Sequence, residues 1–264
     1  MPRLAVLALF ASIAASAPVL GCASSSSAPA SPLQYAEDAE RTYKKAEGAF
    51  LDKDWEEARI LFQEVKRKYA YSRFARLAEL RIADIDFEQE KFSTAITGYR
   101  AFVHDHRTDA GAAYARFRIC RALFSQVSDT LLLPPQEERD QASIHDAYRE
   151  LSSFLLDHPD SKWTKEAKFM LVSVTDRLVR HELYVARYLL RQDRFEPAAK
   201  RIQYALRTYD GSGLEAEAMV LLGETYLKMK RGKEARELLS QVVKSYPASP
   251  FADVAGRYLA AVGP

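Results

Sequence analysis

The sequence predicts an all-α protein, and three observations carry that prediction. Glycine and proline are sparse, at 10 and 11 of 264 residues, where glycine alone averages about 7% in soluble proteins. Pro2, Pro18, Pro29 and Pro32 all fall within the first 33 residues, which leaves seven (11 − 4) for the rest of the chain. Apolar residues beyond that point recur at helical spacing, in a composition of 48% hydrophobic and 28% charged residues. An all-β sandwich needs a turn about every 8–12 residues, and the body lacks the residues to make them. Collagen-like and Gly/Pro-rich disordered classes are excluded as well.

Charge excludes a further class. The net charge is +2 with a sequence pI of about 8.4, and no run of five like charges occurs. A nucleic-acid-binding domain shows a basic stripe and a pI above about 9, so no nucleic-acid partner is expected.

The N-terminus reads as an address. Arg3 supplies a positive start, Leu4 to Ala17 is uncharged and apolar or small, and Val19-Leu20-Gly21-Cys22 closes the stretch. This is the plan of a secretory signal peptide over residues 1–21, too short to span a bilayer comfortably. The closing tetrapeptide resembles a bacterial lipobox, although Leu20 stands where a small residue is usual. The resemblance implies that Cys22 becomes diacylated and forms the new N-terminus. Several acyl chains anchor far more firmly than one. Residues 22–34 then read as a lipidated cysteine and a flexible Ser/Ala/Pro tether. Ala23 after the cysteine fits an outer-membrane address. No other segment reaches 18 apolar residues, so no transmembrane helix is expected. Cys120 is left without a disulfide partner and lies in the apolar pattern Phe117, Cys120, Phe124, which predicts a small buried hydrophobe.

The folded domain, residues 35–264, is repetitive. Trp55-Glu56-Glu57-Ala58 with Phe62 and Val65 marks one helix, and Phe92, Ala95, Tyr99 and Phe102 mark a second. Ala147, Leu151, Phe154 and Pro159 mark a third; Phe195, Ala198, Ile202 and Ala205 a fourth. The clearest unit comes last: Leu222-Gly223, Tyr226, Ala235, Val242 and Pro247. Gly223 and Ala235 are small where paired helices cross, and Pro247 stops the second helix. These offsets match the 34-residue tetratricopeptide pattern. The expected architecture is a solenoid of five helix–turn–helix repeats.

The crossing alanines, Ala58, Ala95, Ala147, Ala198 and Ala235, are spaced by 37, 52, 51 and 37 residues. Two long intervals require extra material. Residues 128–141, with Pro134-Pro135, read as a loop inserted within repeat three. Thr164 to Arg191 reads as an extended first helix of repeat four, with apolar positions Phe169, Leu171, Val172, Leu178, Tyr184, Val185, Tyr188 and Leu189. Pro197 is expected in the first turn of its helix. Gly211-Ser212-Gly213 breaks the fourth unit. Ser249-Pro250 starts a C-terminal capping helix, with Ser249 as N-cap.

Several stretches resemble one family: DRLVRHELYVARYL at 176–189, RFEPAAKRIQYALRTY at 194–209, RDQ at 139–141 and HPDSKW at 158–163. Together with the lipobox, this order is similar to the BamD-type outer-membrane assembly lipoproteins. The Tyr–Pro pair that usually ends their repeats survives whole only at Tyr246-Pro247. The resemblance implies a non-enzymatic, lipid-anchored scaffold on the periplasmic face of the outer membrane, within the complex that assembles and inserts β-barrel proteins. The implied partners are the integral barrel subunit, other lipoproteins of the complex, and unfolded outer-membrane protein segments. The alternative is a tetratricopeptide lipoprotein serving pilus assembly or envelope constriction. Depletion separates them: loss of outer-membrane barrels against loss of pili or constriction.

By the same resemblance, Arg201 falls on a position that contacts the barrel subunit. Its side chain either meets a partner carboxylate or forms an internal salt bridge with Glu182, so Arg201 and Glu182 are the candidate partner-binding residues. No catalytic constellation, cofactor or metal is expected. His181-Glu182 begins a zinc-protease motif, but Val185 occupies the place of the second histidine. His104-Asp105-His106 reads as a solvated helix end.

Overall fold

The structure, a computed structural model, describes residues 31–127 and 141–262. The signal peptide at 1–21, Cys22, the tether up to Ala30 and the inserted loop apart from Gln141 lie outside the described residues. Those described form eleven α-helices and no strand. Ten of them pair into the five expected repeats: α1 (Pro32–Leu51) with α2 (Trp55–Lys68), α3 (Arg73–Glu88) with α4 (Phe92–Asp105), and α5 (Gly111–Gln126) with α6 (Ala142–Asp157). They continue as α7 (Thr164–Arg191) with α8 (Phe195–Thr208), and α9 (Glu215–Lys228) with α10 (Gly232–Ser245). Helix α11 (Pro250–Val262) covers the end.

The first helix starts earlier than the 22–34 tether span allows. Ser31 caps it, its Oγ accepting from the Gln34 amide at 3.2 Å, and Pro32 supplies a φ already suited to a first helical position. The far end follows the same rule: Ser249 Oγ accepts from the Phe251 amide at 3.3 Å, directly before Pro250. Pro197 is the third residue of α8, where an amide would have no intrahelical acceptor.

The five crossing alanines are completely buried. Each is where the two helices of a repeat approach most closely, and a longer side chain would force them apart. In the last repeat Gly223 makes room for Leu239: a Cβ on Gly223 would lie 2.7 Å from Leu239 Cδ2.

In four repeats the paired helices are joined by three residues, the middle one left-handed: Lys53, Glu90, Asp193 and Lys230, with φ of 61°, 59°, 55° and 60°. Each turn closes with an amide donating five residues back, as from Arg231 to the Tyr226 carbonyl at 2.8 Å and from Lys91 to Asp86 at 2.8 Å. This is the bonding of a helix C-terminal cap, built without the usual glycine.

Repeat three breaks the pattern, because residues 127–141 replace the three-residue turn. Helix α7 is the second departure, with 28 residues against 16 in α3 and α5. Each departure adds twelve residues (15 − 3 and 28 − 16), most of the excess of the two long intervals (52 − 37 = 15 and 51 − 37 = 14). Arg177 on α7 donates from Nη1 to the Val127 carbonyl at 3.0 Å, just beyond the last turn of α5.

The apolar reading of α7 needs correction. Leu178 and Leu189 are buried, and Leu171 and Val185 half-buried, but Phe169, Val172, Tyr184 and Tyr188 face solvent. The buried stripe runs instead through Ala167, Met170, Val174, Leu178, Leu183 and Ala186. Small residues set this stripe where neighbouring helices pack closely, and a search for large apolar side chains overlooks them.

The main core runs continuously from repeat two to repeat five, with smaller clusters under repeat one and under the cap. Cys120 lies in the main core, where burial pushes its thiol up to about 12. A thiol so protonated is a packing group, in keeping with its position in the pattern.

One polar cluster is embedded at the joint of repeats two and three. Asp84 on α3 is buried and accepts from the hydroxyls of Tyr99 (2.5 Å) and Tyr114 (2.8 Å) and from Arg81 Nη1 (2.8 Å). Arg118 on α5 places Nε 3.0 Å from the Tyr99 hydroxyl and 3.3 Å from Asp84, with its guanidinium 3.9 Å from the Phe87 ring centre. Burial, and then the adjacent Asp84 charge, hold the Tyr99 hydroxyl far above its ordinary value, so it serves as a hydrogen-bond donor. Removing a partner from such a buried group costs far more than the pair contributes. Arg118→Leu is therefore predicted to lower unfolding free energy by about 3 kcal/mol, read by urea denaturation. A loss below about 1 kcal/mol would show that Arg81 and the tyrosines suffice for Asp84.

Candidate partner-binding site

The two predicted partner-binding residues come together where α7 meets α8. Their helices are antiparallel neighbours, joined by the turn at residues 192–194. Glu182 falls on the buried stripe of α7, four residues after Leu178 and four before Ala186. Arg201 lies three residues after the crossing Ala198 and one before the buried Ile202. That register directs it to the rim of the helix pair.

Arg201 Nη1 donates to both carboxylate oxygens of Glu182, at 3.3 and 3.1 Å. The two side chains differ sharply in exposure: 6% for Glu182 and 50% for Arg201. Only one nitrogen is engaged. The Nε and Nη2 groups of Arg201 have no partner among the described residues, and the side chain is half exposed. Of the two readings left open by the sequence, the internal salt bridge is present. It leaves most of the guanidinium fork free to meet a second carboxylate.

The surrounding surface is a shallow cleft lined by His145, Glu182, Pro197, Lys200, Arg201 and Tyr204. Lys200 is exposed and forms no ion pair among the described residues. The rim therefore carries two cations against one carboxylate that is already engaged. An acidic partner surface is the complement of such a rim.

Aromatic packing stiffens the floor beside the cleft. Tyr209 is buried, and its ring meets Tyr148 edge-on at 5.4 Å and Tyr204 at 5.6 Å. Its hydroxyl lies 3.3 Å from that of Tyr204 and 3.5 Å from His145 Nδ1. Tyr148 donates to the Thr208 carbonyl at 2.9 Å, at the last residue of α8. Burial, followed by the Tyr204 hydrogen bond, keeps the Tyr209 hydroxyl protonated far above its ordinary range. Repeats three and four are thus tied together at the site.

Sequence reasoning missed Tyr148, Tyr204, Tyr209 and His145 as neighbours of the site. Tyr204 and Tyr209 lie in the quoted 194–209 stretch, but the contacts to α6 span about sixty residues and have no periodic signal. The Asp84 cluster was missed too, its one trace being an acid between the apolar Ala83 and Ile85. At the helix end read as solvated, His104 and Asp105 are exposed and 2.8 Å apart, whereas His106 is half-buried with Nε2 2.8 Å from Glu79. No group of three His, Cys, Asp or Glu able to hold a metal occurs among the described residues. Nor is any described helix long and apolar enough to cross a membrane.

The unequal burial of the pair yields a test of its energetics. Without Arg201, Glu182 is left as an unpaired carboxylate in a nearly dry place; without the Glu182 charge, Arg201 keeps its solvent. Arg201→Ala is predicted to cost about 1–3 kcal/mol of stability and Glu182→Gln less, measured as thermal-melt shifts. The reverse order would mean that the carboxylate does not depend on this arginine.

The chain is similar to known proteins over most of its length. Residues 35–241 match the family described as YfiO, outer membrane lipoprotein. An outer membrane protein assembly factor BamD from Xylella fastidiosa is 24% identical over 216 residues, covering 79% of this chain and 73% of its own. The factor of the same name from Neisseria meningitidis is 24% identical, with 80% of each chain covered. That from Caulobacter vibrioides is 25% identical over 227 residues, 86% of this chain and 72% of its own. With a family match that includes α1 to α9 almost whole and both residues of the Glu182–Arg201 pair, the chain belongs to the YfiO family of outer membrane lipoproteins.

Proposed function

We propose that this protein is a lipid-anchored scaffold of the machinery that assembles and inserts β-barrel proteins in the outer membrane, held on the periplasmic face through Cys22. The observation that carries the reading is the family match over 35–241 combined with the half-free arginine at 201. In this reading the cleft around Arg201 and Lys200 docks an acidic patch on the periplasmic part of the integral barrel subunit. Glu182 acts beneath it, fixing the direction of the guanidinium.

The N-terminal repeats suit the second task, reception of unfolded outer-membrane protein segments. A groove lined by Leu77, Leu80, Arg81, Tyr114, Lys162 and Trp163 runs across the first helices of repeats two and three to the start of α7. It offers apolar and aromatic surface with two cations at its edge, and rigid rings give contact area to an extended peptide at little entropic cost.

Two outcomes follow. Changing Cys22 to Ser is predicted to move the protein from the membrane fraction to the soluble periplasm, because the described helices supply no other span. Unchanged fractionation would remove the lipid anchor from the account. Co-purification from detergent-solubilised membranes should recover the barrel subunit with the wild-type chain. With Arg201→Glu, recovery should fall about tenfold or more while circular dichroism shows full helicity. Solubilised complexes that never contain the barrel subunit would overturn the proposal.

A further inference from the structure

We infer that the N-terminal end of the solenoid is a contact surface for the phospholipid headgroups of the membrane bearing the anchor; this rests on the reading of Cys22 as lipidated. Two segments build that end, the first turn of α1 and the turn between α2 and α3. The Tyr71 amide donates to the Tyr35 hydroxyl at 3.4 Å, and the rings of Tyr35 and Tyr69 meet edge-on at 5.3 Å. Leu33 and Tyr71 therefore project from the same end, 70% and 96% exposed. Folding leaves this apolar area in water and gains nothing from it. A tyrosine, with an apolar ring and a polar tip, is suited to the boundary between headgroups and acyl chains.

Cations flank the pair. Arg67 in the last turn of α2 and Arg73 at the first position of α3 form no ion pair among the described residues. Arg67 has a local explanation, since a cation at a helix C-terminus is favoured by the helix dipole. Arg73 stands at the positive end of α3, whose first turn holds no acid, with its guanidinium 4.8 Å from the Phe74 ring centre and its charge acting on Glu40 of α1. The helix dipole alone disfavours a cation there, and an anionic surface outside the molecule would add to what the Phe74 ring and Glu40 supply.

The reach of the chain completes the argument. Nine residues, 22–30, separate Ser31 from the lipid. Nine residues can span at most about 30 Å, which bounds the distance from the lipid to Ser31. The anchor thus keeps this end, of all parts of the solenoid, within range of the bilayer surface.

The test uses the Cys22→Ser chain purified after export, so that only the protein surface binds. Co-sedimentation with phosphatidylethanolamine–phosphatidylglycerol vesicles is expected, weakening with added salt, with little on phosphatidylcholine alone. Tyr71→Ser combined with Arg73→Glu should reduce binding about tenfold, with helicity retained. Leu33→Ser and Arg67→Glu, both at exposed positions, give an independent second pair. Absence of binding to the anionic vesicles, equal binding to neutral ones, or variants that bind like the parent would each overturn the inference. Fractionation of the lipidated chain reads the anchor separately, so a Cys22 anchor can stand while this surface fails.

Discussion

A helix pair with a single apolar stripe cannot bury it alone, and the architecture follows from that constraint. Neighbouring repeats supply the missing surface, which requires that paired helices approach closely at one fixed point. Ala58, Ala95, Ala147, Ala198 and Ala235 are those points, each wholly buried. Once the crossings are set, every other residue acquires a direction. Phe154, Ile202 and Leu239 turn inward, and residues on the opposite helix faces turn to solvent. At the last crossing α11 closes the stack, bringing Ala255 against Leu239 and Val242.

The candidate site is a local departure from this scheme that the scheme itself makes rigid. Helix α7 carries twelve residues more than α3 or α5, and Glu182 lies in a stretch of it where an apolar side chain would fit the pattern. A carboxylate in so dry a place must be paired. Arg201 answers it from α8 with one nitrogen, and its other donors have no partner among the described residues. The buried acid therefore acts as a positioning residue: it orders a long, flexible side chain at the surface before any partner arrives. Preorganisation of that kind lowers the entropic cost of association. The tyrosines around Tyr209 extend the same rigidity to α6, so the cleft belongs to two repeats at once.

How much of this was legible depended on whether the signal was local. The crossing alanines, the caps at Ser249 and Pro250 and the bounds of α7 all rest on spacing within one helix or one adjacent pair, whereas Arg201 was singled out by resemblance and its pairing with Glu182 was one of two readings. The left-handed residues Lys53, Glu90, Asp193 and Lys230 were hidden, because the turn is imposed by the helices it joins and no glycine or asparagine announces it. The exposed Phe169 and Val172 misled, since a large apolar residue on a helix is ordinarily taken to face inward. The network of Asp84, Tyr99, Tyr114 and Arg118 was invisible for a further reason. Its members lie on three helices, and their burial follows from tertiary packing that periodicity does not encode.

The central claim is that Glu182 contributes to partner binding only through Arg201. Four proteins decide it: the parent, Glu182→Gln, Arg201→Ala and the double variant, each titrated with the periplasmic part of the barrel subunit. Such a cycle isolates the coupling between two contacting residues. The account predicts that Glu182→Gln weakens binding in the parent and has no further effect once Arg201 is alanine. Equal effects of Glu182→Gln in both backgrounds, or affinity unchanged in all four proteins, would contradict it.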